Sequence, residues 1–580
     1  MIPLSILIWL PLACGVVGAI LSMFLERSSQ AGAGAEAATE TPGDAVGSTS
    51  SATATPPTAR TRPWSIPGVL ATIGALVSLG LAVYYIAEYG VPAVGSKTLK
   101  DVTDVVWISE LGIHYKLGIS GLNVFMVGLT TLLFAAAAIA INLRREARPS
   151  NPRLFWLFMT LAESAVLGAL LAQDLALFVA FFDLMLIPFY FLTGMYGRGT
   201  REQRIKATIK LVIYTMVGSL LMLAAAIATG VLAAQQGGGH ITFVLSQLQA
   251  IPLSRGSQEW IFLFFAAAFL VKMPAFPLHG WMPDGYRAMP IEVLAVFSGV
   301  LSKVGAYGFL AIVLPLFPQG AAHFQMLMLI IALASILYGS AIAFTQTDAR
   351  LIAGYSSVAQ LGFITLGIFA LNPQGAQGAL LQMVNHGLVV APLLFIVAIL
   401  SRRAGGSEDV RDMGGIAFRA PVLASVFLIV AFATLAMPGS SNFVGEFMIL
   451  LGVFNAKLAI AVIAFAGVVA ASVYALRLFI RAMHNRVGPK VQSRDLTWRD
   501  AAVLVPLVAV IVFMAIYPQL ALKRSEASAK ATVANAQAAL KPAYATLAAS
   551  PTQAIHVEQS SAESETHAGE TEYRREGSTR

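Results

Sequence analysis

Long apolar segments without a charged residue recur along this chain, and they restrict its fold more than any other feature. Residues 420–437, APVLASVFLIVAFATLAM, are one example. A helix of about 20 such residues crosses the ~30 Å hydrocarbon core of a bilayer. Only 12% of the residues are charged, whereas soluble domains carry about 25% charged residues. The sequence therefore predicts an all-α polytopic membrane protein.

The apolar segments and the loop charges together predict the topology. We expect about fourteen transmembrane helices, at residues 3–25, 66–88, 120–142, 154–173, 175–196, 207–234, 259–281, 290–316, 324–345, 351–371, 377–401, 420–450, 457–482 and 500–522. Alternate loops differ in charge, and the poorer set holds only Lys97, Lys100, Lys116, Arg255 and Lys457. Because Lys- and Arg-rich loops remain in the cytoplasm, the richer set is predicted to be cytoplasmic. An even number of spans then places both termini on the outer side.

Two stretches, residues 27–64 and 525–580, differ from the rest in composition. Both are rich in Ala, Ser, Thr, Gly and Glu and poor in large apolar residues. Such segments bury too little apolar surface to fold alone. We predict a low-complexity cytoplasmic loop at 27–64 and a low-complexity tail at 525–580, both disordered or weakly helical. Residues 1–26 lack a basic leader, which predicts a retained first transmembrane helix.

Several ionisable residues lie within the predicted spans, where each costs about 2.5–3.5 kcal/mol and usually marks an ion or proton pathway. They are Glu163, Asp183, Lys272, Lys303, His386 and Glu446. The net charge of +8 does not come from these residues within the spans. It comes from basic residues in short loops, which indicates that they set the orientation in the membrane rather than bind nucleic acid.

These buried groups also have structural interpretations. The alternative for Glu163 is a hydrogen bond to a neighbouring helix, for Asp183 a permanent ion pair, and for His386 a hydrogen bond only. Burial favours the neutral form of Lys272 and Lys303, whereas a nearby carboxylate favours the charged form. Moving one partner would therefore transfer a proton. A histidine titrates near neutral pH when unperturbed, which suits a proton relay.

Proline interrupts two of the predicted spans. Pro274 and Pro277 lie in KMPAFPLHGW, and Pro438-Gly439 lies in MPGSSNFVGE. Each proline removes a backbone donor and breaks the helix. In a bilayer the freed carbonyls need protein or water as partners, so both breaks are predicted to face the protein interior or a hydrated cavity.

The two breaks fall in the seventh and twelfth predicted spans, an odd offset that gives the two helices opposite directions. Paired interrupted helices in inverted repeats are a frequent ion site of transporters. We therefore predict two inverted five-helix repeats, spans 4–8 at residues 151–316 and spans 9–13 at 324–482, each with a broken helix. Helices 2–3 at 65–150 precede the repeats, and a last helix at 500–522 follows them.

A specific family resemblance is carried by the motifs FFDLMLIPFYF, KMPAFPLHGWMPD, LSKVGAYGF, FTQTDARLIAGYSSVAQLGF, NHGLV and MPGSSNFVGEFMIL. Over about residues 105–485, the chain resembles the antiporter-like proton-translocating subunits of bacterial NADH–quinone oxidoreductase, respiratory complex I. Related subunits occur in multisubunit Na⁺/H⁺ antiporters and membrane-bound hydrogenases. In having glutamate after the second break, the chain resembles the M (chain 4) subunits, whereas the L and N subunits and the antiporter homologues usually have lysine there.

The resemblance implies a role for each candidate residue. Asp183 and Lys272 would form a carboxylate–lysine pair, Lys303 would be the central lysine, His386 the relay histidine and Glu446 the terminal proton site. Glu163 remains a further candidate. The implied activity is proton translocation, coupled to electron transfer from NADH to quinone in partner subunits.

The resemblance also implies where the cofactors and partners are. This chain would be a non-redox subunit of a translocase in the bacterial inner membrane, with no cofactor or metal of its own. NADH, FMN, iron–sulfur clusters and quinone are expected in partner subunits, and the expected neighbours are the L and N subunits and the lipid bilayer. One cysteine, Cys14, agrees with this by excluding a thiolate iron–sulfur cluster within the chain.

Three positions depart from the family pattern. Asp183 replaces the usual glutamate, Gln360 replaces a frequent histidine, and Gly285-Tyr286 replaces Ala-His. They leave open an electron donor other than NADH. The alternatives are a subunit of a multisubunit Na⁺/H⁺ antiporter or of a ferredoxin- or hydrogenase-linked complex, and a scaffold whose charges only pack helices.

Overall fold

The computed structural model describes residues 3–39, 65–92, 99–144, 149–488 and 490–549. The predicted low-complexity loop lies outside the described residues from residue 40 onward, and so does the predicted tail from residue 550. The first part of that loop continues the first helix to Thr39. The fold is helical throughout apart from one hairpin.

The first region consists of three long helices and a β-hairpin, with the bounds α1 Leu4–Thr39, α2 Ile66–Tyr89, β1 Lys100–Ile108, β2 Ile113–Ile119 and α3 Val124–Leu143. Helices α1, α2 and α3 pack in sequence, and α1 also packs on the first helix of the next region. The strands are antiparallel, with Asp104 opposite Lys116. The hairpin adds a β element to the predicted all-helical fold.

The region of the first predicted repeat has the helices α4 Pro152–Leu171, α5 Leu175–Leu184, α6 Leu186–Tyr196, α7 Arg201–Gln236, α8 Leu245–Ala250, α9 Arg255–Lys272, α10 Met282–Ala288, α11 Ile291–Val296, α12 Ser302–Gly308 and α13 Leu314–Leu316. Two π-helical segments, Phe297–Leu301 and Phe309–Val313, flank α12. The α11–α13 span is buried almost entirely.

The region of the second predicted repeat and the residues after it have the helices α14 Pro318–His323, α15 Gln325–Thr345, α16 Ala349–Phe369, α17 Pro373–Arg403, α18 Pro421–Thr434, α19 Ser441–Ala456, α20 Leu458–Met483, α21 Trp498–Ile516 and α22 Gln519–Ala549. Helices α16 and α17 form the most buried part of the bundle.

The described residues contain 12 helices that are long and apolar enough to cross a membrane. They match the predicted spans except the seventh and the twelfth. Those two are the interrupted ones: α9 ends where the first break begins, and the twelfth is divided into the short helices α18 and α19. The prediction of a polytopic helical membrane protein is confirmed, and the count of fourteen and the inverted repeat stay predictions.

Helix α22 corrects the prediction for residues 525–549. This stretch continues an ordered helix, whose Ala529, Val533 and Ala536 side chains are buried against the bundle. A composition rich in small side chains predicts that this stretch buries little apolar surface. These side chains instead let the helix backbone lie close to its neighbours, where even alanine loses its exposed surface.

Ion pairs identify one end of the bundle, which we call the arginine-rich end. It carries Arg144, Arg198, Arg287, Arg350 and Arg402, each paired with a carboxylate. The β-hairpin and α22 lie at the opposite end, which we call the hairpin end, where the Gly121 backbone nitrogen donates to Ser528 Oγ at 3.2 Å. The two ends define an axis along which the buried charges can be placed.

Candidate functional site

Lys272 is buried at the last position of helix α9. The helix ends here because Pro274 and Pro277 follow and cannot continue the backbone ladder. The Lys272 ammonium donates to the Phe182 carbonyl at 3.1 Å and lies 3.9 Å from the centre of the Phe182 ring. A carbonyl dipole and an aromatic face thus stabilise the buried cation.

Asp183 directly follows Phe182 in the chain, yet it makes no direct ion pair with Lys272. Its Oδ1 accepts a hydrogen bond from Ser219 Oγ at 2.5 Å. Within the described part of the chain, no nitrogen–oxygen distance of 4.0 Å or less joins Asp183 to Lys272. The structure therefore brings the Lys272 side chain to the carbonyl of the residue before Asp183, without a direct ion pair between the two side chains in the described residues.

Lys303 is buried in the short helix between the two π-helical segments. Its ammonium donates to the carbonyl of Ser298 in the first π segment, and Ser302 Oγ donates to the same carbonyl at 3.1 Å. A π turn changes the hydrogen-bond ladder locally and occurs often at functional sites. Lys303 is therefore stabilised by the backbone of its own span, with no carboxylate bonded to it among the described residues.

His386 lies in the middle of α17, and its helix closely approaches the span of Lys303. A Cβ added at Gly387 would come within 2.5 Å of the Gly299 carbonyl, so only glycine allows this approach. The imidazole is buried, within electrostatic range of Lys303, and its Nδ1 has no hydrogen-bond partner in the described part of the chain. A ring nitrogen in this state is available to accept or pass on a proton.

Glu446 is buried in helix α19, just after the second break. Its Oε1 accepts hydrogen bonds from Gln360 Nε2 at 2.7 Å and from Gln382 Nε2 at 3.2 Å. Gln382 Nε2 also donates to Gln360 Oε1 at 2.8 Å. Its other oxygen, Oε2, is buried without a protein partner, so one oxygen is held by amides and the other is available for protonation.

Glu163 is buried in α4, and Cys14 of α1 lies within electrostatic range of it. Its Oε1 has no hydrogen-bond partner. No hydrogen bond or ion pair joins Glu163 to the other five candidates in the part of the chain that the structure describes. The structure thus places Glu163 near Cys14, on the helix α4 that packs against α1.

The sequence prediction missed three features of the site. Ser219 and Ser298 carry the hydrogen bonds of Asp183 and Lys303, and Gln382 completes the amide pair around Glu446. Serine and glutamine are common in helices, so their type alone gave no signal. Gln382 did carry a usable one, because an amide in the apolar segment GALLQMVNHGLVV costs free energy unless it is paired.

The described residues contain no group of three or more His, Cys, Asp or Glu side chains that could hold a metal ion. The candidate residues also differ in type from a metal site, because two of them are lysines. Buried lysine, histidine and carboxyl groups within membrane spans often mark a proton or ion pathway in membrane proteins.

Comparison with known proteins gives the family. Residues 172–472 match the model of the NADH:quinone oxidoreductase/Mrp antiporter transmembrane family. The chain is 36% identical over 430 residues to NADH-quinone oxidoreductase subunit M of Rhodobacter capsulatus, covering 72% of this chain and 81% of that one. It is 35% identical over 458 residues to subunit M of Escherichia coli strain K12, covering 78% and 89% of the two chains.

A solved structure agrees with these relatives. A chain of respiratory complex I from Thermus thermophilus with bound NADH superposes with a TM-score of 0.76 at 27% identity, covering 92% of this chain and 99% of that one. The chain therefore belongs to the NADH:quinone oxidoreductase/Mrp antiporter family of membrane subunits, with the M subunits of NADH-quinone oxidoreductase as relatives.

Proposed function

We propose that this chain is a membrane-arm subunit of complex I that translocates protons, coupled to electron transfer from NADH to quinone in partner subunits. The observation that carries the proposal is the set of buried groups Lys272, Lys303, His386 and Glu446, of which Lys272 and Glu446 flank the two breaks. None of these groups is neutralised by a direct ion pair among the described residues. Each is thus able to gain or lose a proton.

In the proposed mechanism, the state of Asp183 controls the proton of Lys272. A charge change arriving from a neighbouring subunit moves the carboxylate between Ser219 and Lys272. In this structure the carboxylate accepts a hydrogen bond from Ser219, and a carbonyl and a ring contact the ammonium of Lys272. In the proposed scheme, movement of the carboxylate away from Lys272 triggers transfer of its proton. In this scheme Lys303 is the next group to receive the proton.

The second half of the relay runs from Lys303 through His386 to Glu446. The unpartnered Nδ1 of His386 accepts the proton, and the unpartnered Oε2 of Glu446 is its terminal site. Buried polar atoms on the same two helices, including Asn385 Oδ1 and both amide atoms of Asn442, also have no hydrogen-bond partner among the described residues. Such atoms bind ordered water in protein interiors, which supports a hydrated path.

Topology and partners complete the proposal. The arginine-rich end faces the cytoplasm of the inner membrane, since basic loops remain there, and both termini face outward. The neighbours in the membrane arm are the L and N subunits. The chain itself carries no redox centre, and NADH, FMN, iron–sulfur clusters and quinone belong to the partner subunits.

The test is Lys303→Ala in the assembled complex, in inverted membrane vesicles. We expect quinone reduction to persist while the number of protons pumped per electron falls. Lys523→Ala, on α22, serves as the control with a lysine outside the buried set. Pumping that is unchanged in Lys303→Ala would overturn the proposal.

The main alternative is a subunit of a multisubunit Na⁺/H⁺ antiporter, which the same family description includes. A ferredoxin- or hydrogenase-linked complex is a further variant. Purification of the native complex, with identification of its partner chains and cofactors, separates these functions. Flavin, iron–sulfur clusters and NADH–quinone activity in the purified complex support complex I, and their absence together with cation exchange supports the antiporter.

A further inference from the structure

Arg350 is the most deeply buried arginine of the arginine-rich end. Its side chain is 0% exposed, whereas Glu408 is 13% exposed. Arg350 Nε donates to Glu408 Oε2 and Arg350 Nη2 donates to Glu408 Oε1, both at 2.8 Å. This two-pronged contact fixes the orientation of both side chains, which a single contact would not do.

The remaining arm of the Arg350 guanidinium binds the end of helix α10. Arg350 Nη1 donates to the carbonyls of Tyr286 at 2.9 Å and Met289 at 2.6 Å. The last carbonyls of a helix have no donor within the helix, and a cation is favourable beside them. Helix α10 is the segment that follows the first break, so Arg350 holds the far side of the break that begins after Lys272.

Glu408 also receives Arg198, which extends the cluster to the loop after α6. The Arg198 backbone nitrogen in turn donates to the Ala288 carbonyl at 2.7 Å, again at the end of α10. The backbone nitrogen of Ala349 donates to the Glu408 carbonyl at 2.8 Å. We call this cluster, formed by Arg198, Arg350, Glu408 and the carbonyls of residues 286–289, the Glu408 junction.

The Glu408 junction connects the two repeat regions. Arg350 begins α16, the helix of Gln360, and Glu408 lies in the loop after α17, the helix of His386. The carbonyls that Arg350 binds belong to the interrupted span of Lys272. A buried ion pair often stabilises a fold no more than apolar residues of similar volume would, so stability alone is a weak explanation for this arrangement.

We propose that Arg350 is a positioning residue that couples the first break to the second repeat region. A displacement of α10 is passed through the guanidinium to Glu408 and to the start of α16. The helices of Gln360 and His386 then respond to the state of the Lys272 break. This inference rests on the proposed proton translocation and adds a mechanical link between its two halves.

The test uses the intact complex in inverted membrane vesicles, with proton pumping and quinone reduction measured on the same preparation. In Arg350→Met we expect a fall in protons pumped per electron comparable to that in Lys303→Ala. Glu408→Gln keeps the hydrogen-bonding shape but removes the charge, so its loss is expected to be smaller. Arg411→Gln is the matched control, since Arg411 is 67% exposed and pairs with Asp409 in the same loop.

A double variant separates positioning from stability. Arg350→Met leaves Glu408 as a partly buried carboxylate with only Arg198, which lowers the amount of assembled complex and its thermal midpoint. Adding Glu408→Leu removes that partly buried carboxylate, while Arg198, whose side chain is 46% exposed, stays solvated, so both quantities are expected to recover. If the junction positions the break, the ratio of protons to electrons stays low in the double variant although its stability recovers.

The outcomes distinguish this inference from the proposed function. A normal ratio of protons pumped to electrons transferred, in both Glu408→Gln and the double variant, overturns the role of the Glu408 junction. If Lys303→Ala lowers the ratio in that experiment, the proton relay stands and only the junction is wrong. If Lys303→Ala also leaves the ratio unchanged, proton translocation by this chain is overturned as well. Should Arg350→Met fail to assemble, Glu408→Gln and the double variant decide the question.

Discussion

Gln360 donates a hydrogen bond from Nε2 to Glu446 Oε1 at 2.7 Å, which links the position where the family often has histidine to the terminal carboxyl of the second break. An amide does not titrate near neutral pH, so Gln360 orients the carboxyl without exchanging a proton. In the proposed mechanism, the group that exchanges a proton at the second break is therefore Glu446 itself.

Replacing this carboxyl tests that assignment. Glu446→Gln keeps the size of the side chain and leaves an amide beside Gln360 and Gln382, so we expect normal assembly. Removal of a proton-transfer group typically costs about 10²-fold or more in rate, and we expect proton pumping by this subunit to fall accordingly. Pumping is measured by fluorescence quenching in inverted vesicles. Glu88→Gln, at an exposed position on α2, is the control. Equal pumping by both variants would contradict the assignment.

The open pair at the first break gives a second prediction. Asp183→Glu adds one methylene and brings the carboxylate closer to Lys272, so pumping is expected to persist. Asp183→Asn removes the charge that controls Lys272, and pumping is expected to fall although the hydrogen bond from Ser219 remains possible. Pumping and quinone reduction are measured together. Full pumping in Asp183→Asn would show that this carboxylate does not control the lysine.

Close helix contact beside the relay histidine gives a third prediction. In Gly387→Ala, the new methyl group meets the Gly299 carbonyl at 2.5 Å and Leu129 at 2.6 Å. Overpacking of this kind typically costs about 1–3 kcal/mol, and it moves His386 away from the span of Lys303. We expect a lower thermal midpoint and weaker pumping. Gly80→Ala, where no atom lies within 4 Å of the new methyl, is the control and should leave both quantities unchanged or improve stability.

The β-hairpin gives a prediction of pH dependence. Burial by itself would raise the pKa of Asp104, but hydrogen bonds from Lys116 and His114 hold that pKa below its ordinary value. A carboxyl with a lowered folded-state pKa stabilises the fold above its unfolded-state pKa, near pH 4, and loses this contribution as the pH falls through the folded-state pKa. The protection of the peptide 100–119 against hydrogen exchange, corrected for the intrinsic pH dependence of amide exchange, should therefore fall below about pH 4. Asp104→Asn should exchange faster at neutral pH and show less of this acid dependence; an identical acid profile would contradict the prediction.

The isolated position of Glu163 gives a fifth prediction. It lies at the α1–α4 contact near Cys14, without a bond to the relay groups in the described residues. We expect Glu163→Gln to assemble and pump normally, because a neutral amide still fills the same space. Glu163→Gln that assembles normally but loses pumping would place this carboxyl in the relay after all.

The sequence predicts the long apolar helices well because hydrophobic length is a local property. Pro274 and Pro277 mark the first break in the same way, since a proline disrupts the helix wherever it lies. The two predicted spans that are not continuous apolar helices in the structure are the ones with such signals. The β-hairpin was missed although its pairing is local, with Asp104 opposite Lys116 only 12 positions away, because apolar length carries no information about short exposed strands.

The arrangement of the site depends on longer-range packing. The sequence identified Lys303 by its cost in a bilayer, but it gave no indication that the Ser298 carbonyl would bind it. That contact requires a local π-helical geometry, which differs from an α-helix by a single position in the hydrogen-bond pattern. The open state of Asp183 and Lys272 likewise depends on Ser219, which arrives from another helix.

The contact of helix α22 with the hairpin end has a consequence for biosynthesis. The hydrogen bond between Gly121 and Ser528 joins residues 407 positions apart. Chains leave the ribosome at about 5–20 residues per second, so Gly121 waits for roughly 20 to 80 s before its partner has been made. During that interval the hairpin end lacks part of its cover, and any factor that protects this surface must act while translation is still in progress.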